Sequence, residues 1–329
     1  MLQVHNLTVK FLSGKVENEV VKKISFDLKE NKILGIVGES GSGKSVTSLA
    51  VLGLLPKNTI QEGTIFFDEK NLLTISDKEF QQIRGNKIAM IFQEPMSSLN
   101  PTLTCGSQVA EVLKQHTGLN KKEIYQEVIT LFQKVKLPLP DRIFNSYPHQ
   151  ISGGQKQRVM IAIAIACKPD LLIADEPTTA LDVTVQKEII LLLKELQKEN
   201  KMSILLISHD LSLVSEIADN VIILFKGKIV ENGITTDIFH SPQHNYTKGL
   251  INSKPNLNQR LKKLPTVEDF IKNKISTDVY TKKERDAYHR KIYELKPLLE
   301  IVDLKKYFNT SVGFAKKPFI KAVDAISFK

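Results

Sequence analysis

The apolar residues of this 329-residue chain fall into three patterns, each predicting a different kind of element. Over 2–11 and 20–28 they alternate with polar ones in the manner of strands, with Val4, Leu7, Val9 and Phe11 marking the first. Residues 33–37, 87–92, 171–174 and 203–207 are short, nearly continuous apolar runs. The run at 171–174 is wholly apolar, as in strands buried on both faces of a parallel sheet. Helical stretches are predicted over 46–55, 76–84, onward to about Leu137, from Val159 to Ala166, and over 183–200. Residues 63–67 read as a further strand. Pro95, Asn100 and Pro101 mark a loop over 94–101, and Pro138 and Pro140 a break.

The candidate chemistry sits where these elements end. Gly38-Glu39-Ser40-Gly41-Ser42-Gly43-Lys44-Ser45 fits G-x-x-x-x-G-K-[ST] between a predicted strand and a predicted helix, the context that pattern needs. Its glycines let backbone N–H groups approach phosphate oxygens, and the helix adds the positive end of its dipole. Lys44 is expected to reach the β- and γ-phosphates of a nucleotide and the Ser45 hydroxyl to ligate Mg²⁺. Asp175 and Glu176 end the apolar strand at 171–174. With a phosphate loop in the chain, Asp175 is the candidate metal ligand and Glu176 the candidate for orienting the attacking water. Ser152, Gly153, Gly154 and Gln155 open a helix and offer a second anion site. His209, at the end of another strand, is a candidate γ-phosphate contact. Phe11 is a candidate platform for an adenine ring, although an aromatic on a strand is more often core.

Composition narrows the classes. Apolar residues make up 42% and charged residues 25%, ordinary for a globular protein. The longest apolar run, Val159 to Cys167, is half the ~18 residues of a membrane span. The first residues lack the basic-then-apolar layout of a secretion signal, so a cytosolic location is expected unless something holds the chain at a membrane. The net charge of +10 invites a nucleic-acid reading, but its placement argues against one. Residues 1–253 carry 28 Lys and Arg against 27 Asp and Glu, whereas 254–297 carry 12 against 6 and 298–329 carry 6 against 3. Cys105 and Cys167 have no metal-ligand spacing, and Cys167 is expected to be a buried small hydrophobe.

Six ordered motifs together resemble an ABC-type ATPase: GESGSGKS at 38–45 (Walker A), Gln93 (Q-loop), ISGGQ at 151–155 (signature), LLIADE at 171–176 (Walker B), TALD at 179–182 (D-loop) and ISHD at 207–210 (H-loop). The resemblance covers 1 to about 235; one departure, Ile151 where Leu is usual, keeps size and polarity. It implies an α/β fold, a P-loop NTPase nucleotide-binding domain with a β-subdomain and an α-helical subdomain inserted at about 94–165. By position Phe11 becomes the adenine-stacking aromatic, Gln93 a further Mg²⁺ and nucleotide contact that reports nucleotide state to a permease, and Asp182 a D-loop contact. The resemblance further implies that ATP lies between two head-to-tail domains, so that Ser152, Gly153 and Gly154 touch the γ-phosphate of nucleotide on a partner and a single copy hydrolyses poorly.

A finer similarity is to the di- and oligopeptide importer ATPases, through KIAMIFQEPMSSLNP at 87–101, SYPHQISGGQKQRV at 146–159, IADEPTTALDVTVQ at 173–186 and SPQHNYTKGLINSKP at 241–255. Its implied partners are transmembrane permease subunits and an extracytoplasmic substrate-binding protein, its implied location the cytoplasmic face of the inner or plasma membrane. The loop at 94–101 is expected near the permease. Relatives transport peptides, nickel or glutathione-like compounds, so the cargo stays open; the four-cysteine tail cluster of some relatives has no counterpart among two cysteines.

An internal repeat bears on organisation. Leu2-Gln3-Val4-His5-Asn6-Leu7 returns as Leu299-Glu300-Ile301-Val302-Asp303-Leu304, Phe11 matches Phe308, and Ile24-Ser25-Phe26 matches Ile326-Ser327-Phe328. The expected organisation is an ABC domain over 1–253, a basic and partly helical linker over 254–297, and the truncated start of a second ABC domain over 298–329. The chain thus reads as the first half of a tandem of about double the length. The orphan tail is expected to be loosely ordered or parasitically paired. Rival readings are a tandem soluble ABC protein acting on ribosomes or nucleic acid, and a binding-only pseudo-ATPase. The near-neutral body argues against the first, and Asp175, Glu176 and His209 against the second.

Overall fold

The computed structural model describes all residues except 15, 94–97, 254–259 and 309–319. Part of the loop expected over 94–101, the start of the linker and the middle of the tail therefore lie outside the described residues. The chain divides into two units, Met1–Ser253 with Pro265–Lys274, and Lys254–Leu264 with Ile275–Lys329.

The first unit is built on a six-stranded sheet in the order β10-β9-β3-β8-β7-β6, with β3 (Ile33–Val37), β6 (Ile88–Ile91), β7 (Leu171–Asp175), β8 (Ser203–Ser208) and β9 (Asn220–Phe225) parallel and β10 (Lys228–Ile234) antiparallel at one edge. The central strands are wholly buried, and their alternate residues face two different cores. Ile33 and Val37, Leu172 and Ala174, and Ile204 and Leu206 join one cluster, whereas Leu34 and Ile36, Leu171 and Ile173, and Leu205 and Ile207 join the other. A strand with two dry faces has no polar face to show, which is why these segments read as continuous apolar runs.

The second of these cores lies under a four-stranded antiparallel sheet, β2-β1-β4-β5, formed by β1 (Leu2–Ser13), β2 (Val16–Leu28), β4 (Thr59–Phe67) and β5 (Lys70–Asn71). Helix α1 (Lys44–Val51) and α2 (Asp77–Ile83) pack against it, the latter opened by a capping box between Ser76 and Glu79. The first core lies under helices α3 (Cys105–His116), α4 (Lys121–Lys134), α5 (Pro140–Phe144) and α6 (Gly153–Ile165), followed along the chain by α7 (Val183–Asn200) and α8 (Leu211–Ile217). Cys105 is fully buried there, and burial pushes its thiol up to about 11. Cys167, expected to be buried, is half-buried.

Beyond β10 come α9 (Thr235–His240), α10 (Asn245–Asn252) and α11 (Val267–Ile271). Residues 265–274, within the stretch read as linker, belong to this unit because α11 seats on α10 at Gly249. A Cβ there would stand 3.1 Å from the Val267 Cα, a contact tight enough that glycine eases the close approach of the two helices.

In the second unit a polar helix, α12 (Lys282–Tyr293), precedes a hairpin of β11 (Ile301–Phe308) and β12 (Ile320–Phe328). The hairpin repeats β1–β2 in detail. Ile301, Leu304 and Lys306 pair with Phe328, Ile326 and Val323 as Val4, Leu7 and Val9 pair with Phe26, Ile24 and Val21, with register shifts at the same steps. Asn6 and Lys23 have positive φ, as do Asp303 and Ala325. The Ser25 hydroxyl accepts from the Asn6 N–H at 2.8 Å, and the Ser327 hydroxyl from the Asp303 N–H at 2.9 Å. Burial separates the copies: Leu7 is 0% exposed, Leu304 47%.

Candidate functional site

The phosphate loop leaves β3 and enters α1 through a backbone that favours glycine. Gly41 and Gly43 have φ of +77° and +104°. A Cβ on Gly38 would lie 2.2 Å from the Leu224 carbonyl oxygen, and one on Gly43 3.1 Å from that of Val20. No side chain caps α1, so its first N–H groups face the cleft. The cleft, about 140 Å³, is lined by Val20, Ser40, Gly41, Gly43, Lys44, Ser45, Val46, Gln93 and Glu176. The Lys44 ammonium is buried and donates to the carbonyl oxygens of Gly38 (2.8 Å) and Glu39 (2.9 Å). Burial lowers its pKa, against the opposing pull of Glu176, Asp175 and Glu39.

The carboxylates come from the end of β7. Asp175 is buried, and its Oδ1 accepts no hydrogen bond. Burial raises its pKa, partly offset by the neighbouring Ser45 hydroxyl and Lys44. An orphaned carboxylate oxygen beside a hydroxyl and a phosphate loop suits a hard cation that takes its remaining ligands from phosphate and water. Among the described residues no group of three or more His, Cys, Asp or Glu side chains forms a metal cage.

Glu176 has φ of +45°, and its Oε2 is a meeting point. It accepts from Gln93 Nε2 at 3.1 Å and the Thr179 hydroxyl at 3.0 Å, and His209 Nδ1 stands 3.2 Å away. The parallel pairing of β6, β7 and β8 brings Gln93, Glu176 and His209 to one sheet edge from positions 83 and 33 residues apart.

The remaining predicted residues stand elsewhere. Ser152 caps α6, its hydroxyl accepting from the Gln155 N–H while the Gln155 side-chain Oε1 accepts from the Ser152 N–H. Gly153 and Gly154 pack beside Leu181 and Val185. Asp182 caps α7 through the Val185 N–H at 3.0 Å. None of these lines the cleft, and neither does Phe11, half-buried on β1 beside the antiparallel sheet's core. Sequence reasoning missed Val20 in the cleft wall and Tyr246, whose hydroxyl accepts from the Glu39 N–H at 2.8 Å. No motif marks Val20; the SPQHNYTKGL stretch was the available signal for Tyr246.

Residues 21–179 match the ABC transporter family model, and 230–274 match that of the oligopeptide/dipeptide transporter C-terminal region. The dipeptide transport ATP-binding protein DppD of Bacillus subtilis is 49% identical over 259 residues, 78% of this chain and 77% of its own length. The chain belongs to the ABC transporter ATP-binding family. The oligopeptide transport ATP-binding protein OppD of the same organism is 40% identical over 336 residues, covering 100% of this chain and 93% of its own. Among solved structures, the dimeric ABC cassette MJ0796 bound to ADP and Pi superposes with a TM-score of 0.64 at 29% identity, over 71% of this chain and 99% of that one. This ABC protein is thus an ATPase by family, with the α/β P-loop fold expected of one. No helix among its described residues is long and apolar enough to cross a membrane.

Proposed function

We propose that this ATPase is the motor subunit of an importer for peptides, driving transport through permease subunits. The observation that carries this is the match of 230–274 to the oligopeptide/dipeptide transporter C-terminal region, joined to an intact set of cleft residues. Relatives named for dipeptide and oligopeptide transport support it. In this reading permeases anchor the chain at the cytoplasmic face of the membrane, and an extracytoplasmic binding protein delivers the cargo.

ATP phosphates sit on the N–H groups opening α1, and Lys44 turns from its own loop's carbonyls toward the β- and γ-phosphates. Ser45 and Asp175, with Gln93 as a further ligand, would hold Mg²⁺, which screens the phosphate charge when bound. Glu176 orients and polarises the attacking water, His209 contacts the γ-phosphate, and Phe11 stacks on adenine. Catalysis is positioning plus charge stabilisation, with no covalent intermediate. The α6 N-terminus with Ser152, Gly153, Gly154 and Gln155, together with Asp182, faces nucleotide held by a second ABC domain, in keeping with their place outside this chain's cleft. The β11–β12 hairpin is a structural copy of β1–β2.

The test is reconstitution with permease and binding protein in vesicles. Peptide is expected to stimulate ATP hydrolysis and to accumulate inside. Hydrolysis that ignores every peptide tried, with basal turnover intact, would reject the peptide reading.

A further inference from the structure

The C-terminal region reaches the nucleotide cleft through one buried atom. Tyr246, the second residue of α10, has no exposed surface; its ring lies 4.2 Å, centroid to centroid, from that of Phe225 at the end of β9. Its hydroxyl oxygen accepts the Glu39 N–H of the phosphate loop, while the Glu39 carbonyl oxygen accepts the Lys44 ammonium. One residue of the loop is thereby clamped on both sides, by the phosphate-binding lysine and by a helix more than 200 residues downstream. The helix has its own anchors. The Glu231 carboxylate accepts from the N–H groups of Gln243 (2.7 Å) and His244 (3.1 Å), and the Asn245 amide donates to Asn273 beyond α11 at 3.2 Å.

We propose that Tyr246 is a positioning residue for nucleotide binding, holding the phosphate loop in its binding conformation and making nucleotide affinity depend on how the 230–274 segment is seated. The proposal rests on the reading of 38–45 as the ATP phosphate site. A loop with glycines at 38, 41 and 43 has much conformational freedom to lose on binding. Tyr246 removes part of that freedom in advance, and preorganisation of this kind appears as affinity. The tie acts through Glu39 and does not touch the reacting atoms, so it should act on binding before chemistry.

The test compares the full chain with Tyr246→Phe, which deletes the hydroxyl and keeps the ring. Dissociation constants for ATP and ADP are expected to rise roughly three- to tenfold, the effect of one hydrogen bond. KM for ATP should rise in step while kcat changes by a smaller factor. Unchanged affinities, whether or not the melting temperature falls, would make the bond purely structural and overturn the proposal. Amide exchange gives a readout independent of any variant: the Glu39 amide should be protected in the nucleotide-free wild type, and rapid exchange would overturn the tie. Lys44→Ala separates the two readings, because a wild type that binds nucleotide no better than that variant removes the phosphate-site reading itself.

Discussion

Gln93 Nε2 donates to Glu176 Oε2 at 3.1 Å, joining the ends of two neighbouring parallel strands at the mouth of the phosphate cleft. Together with the Thr179 hydroxyl and His209, it gives the carboxylate a fixed direction. Glu176→Gln keeps size and an acceptor oxygen but cannot polarise water. Phosphate release should fall by roughly 10²–10⁴-fold while ATP binding persists, and ATP should trap a dimer visible by size exclusion. Equal turnover by mutant and wild type would reject Glu176 as the base.

Thr179→Val removes one of the Glu176 restraints at nearly constant volume. Turnover should fall several-fold, on the order of one hydrogen bond's contribution, with KM for ATP little altered. A change confined to KM would show that Thr179 acts on binding.

The loop glycines should not respond alike to alanine. At Gly38 the new Cβ would meet a backbone oxygen at 2.2 Å, which no rotamer change relieves. Gly38→Ala is expected to cost about 2–4 kcal/mol of stability and to abolish nucleotide binding. At Gly41 nothing lies within 4 Å, and the substitution bears only the strain of φ +77°, about 1 kcal/mol. Denaturant melts of the two variants decide; equal losses would contradict the geometry.

Burial pushes the Tyr246 phenol up to about 12 from 10.0. The folded chain therefore keeps a proton that the unfolded chain releases first. The stability this group contributes is complete below pH 10 and is lost as pH climbs to about 12. Between those limits wild type should lose roughly 2–3 kcal/mol more than Tyr246→Phe, which has no phenol to ionise. Parallel pH curves for the two proteins would show that the phenol is not buried as described.

Much of this protein was legible from residues alone because its chemistry is local. Gly38 to Ser45 specify a turn through their own backbone preferences, the runs at 33–37 and 203–207 read as strands, and the run at 171–174 announces a strand dry on both faces because it leaves water no polar side. The repeat of 2–7 at 299–304 was legible too, but the tail was expected to be loosely ordered or parasitically paired; that it folds as a hairpin with the register shifts of β1–β2 came from the structure. Tertiary structure alone decided what crosses the chain. Strand order brought Gln93 and His209 to Glu176, kept Ser152 and Asp182 away from the cleft, seated 265–274 on α10, and set the Tyr246 hydroxyl on Glu39. A sequence records which groups a residue carries and how its neighbours bend. Which distant group satisfies a buried N–H depends on how whole elements pack, and packing is a property of the assembled core.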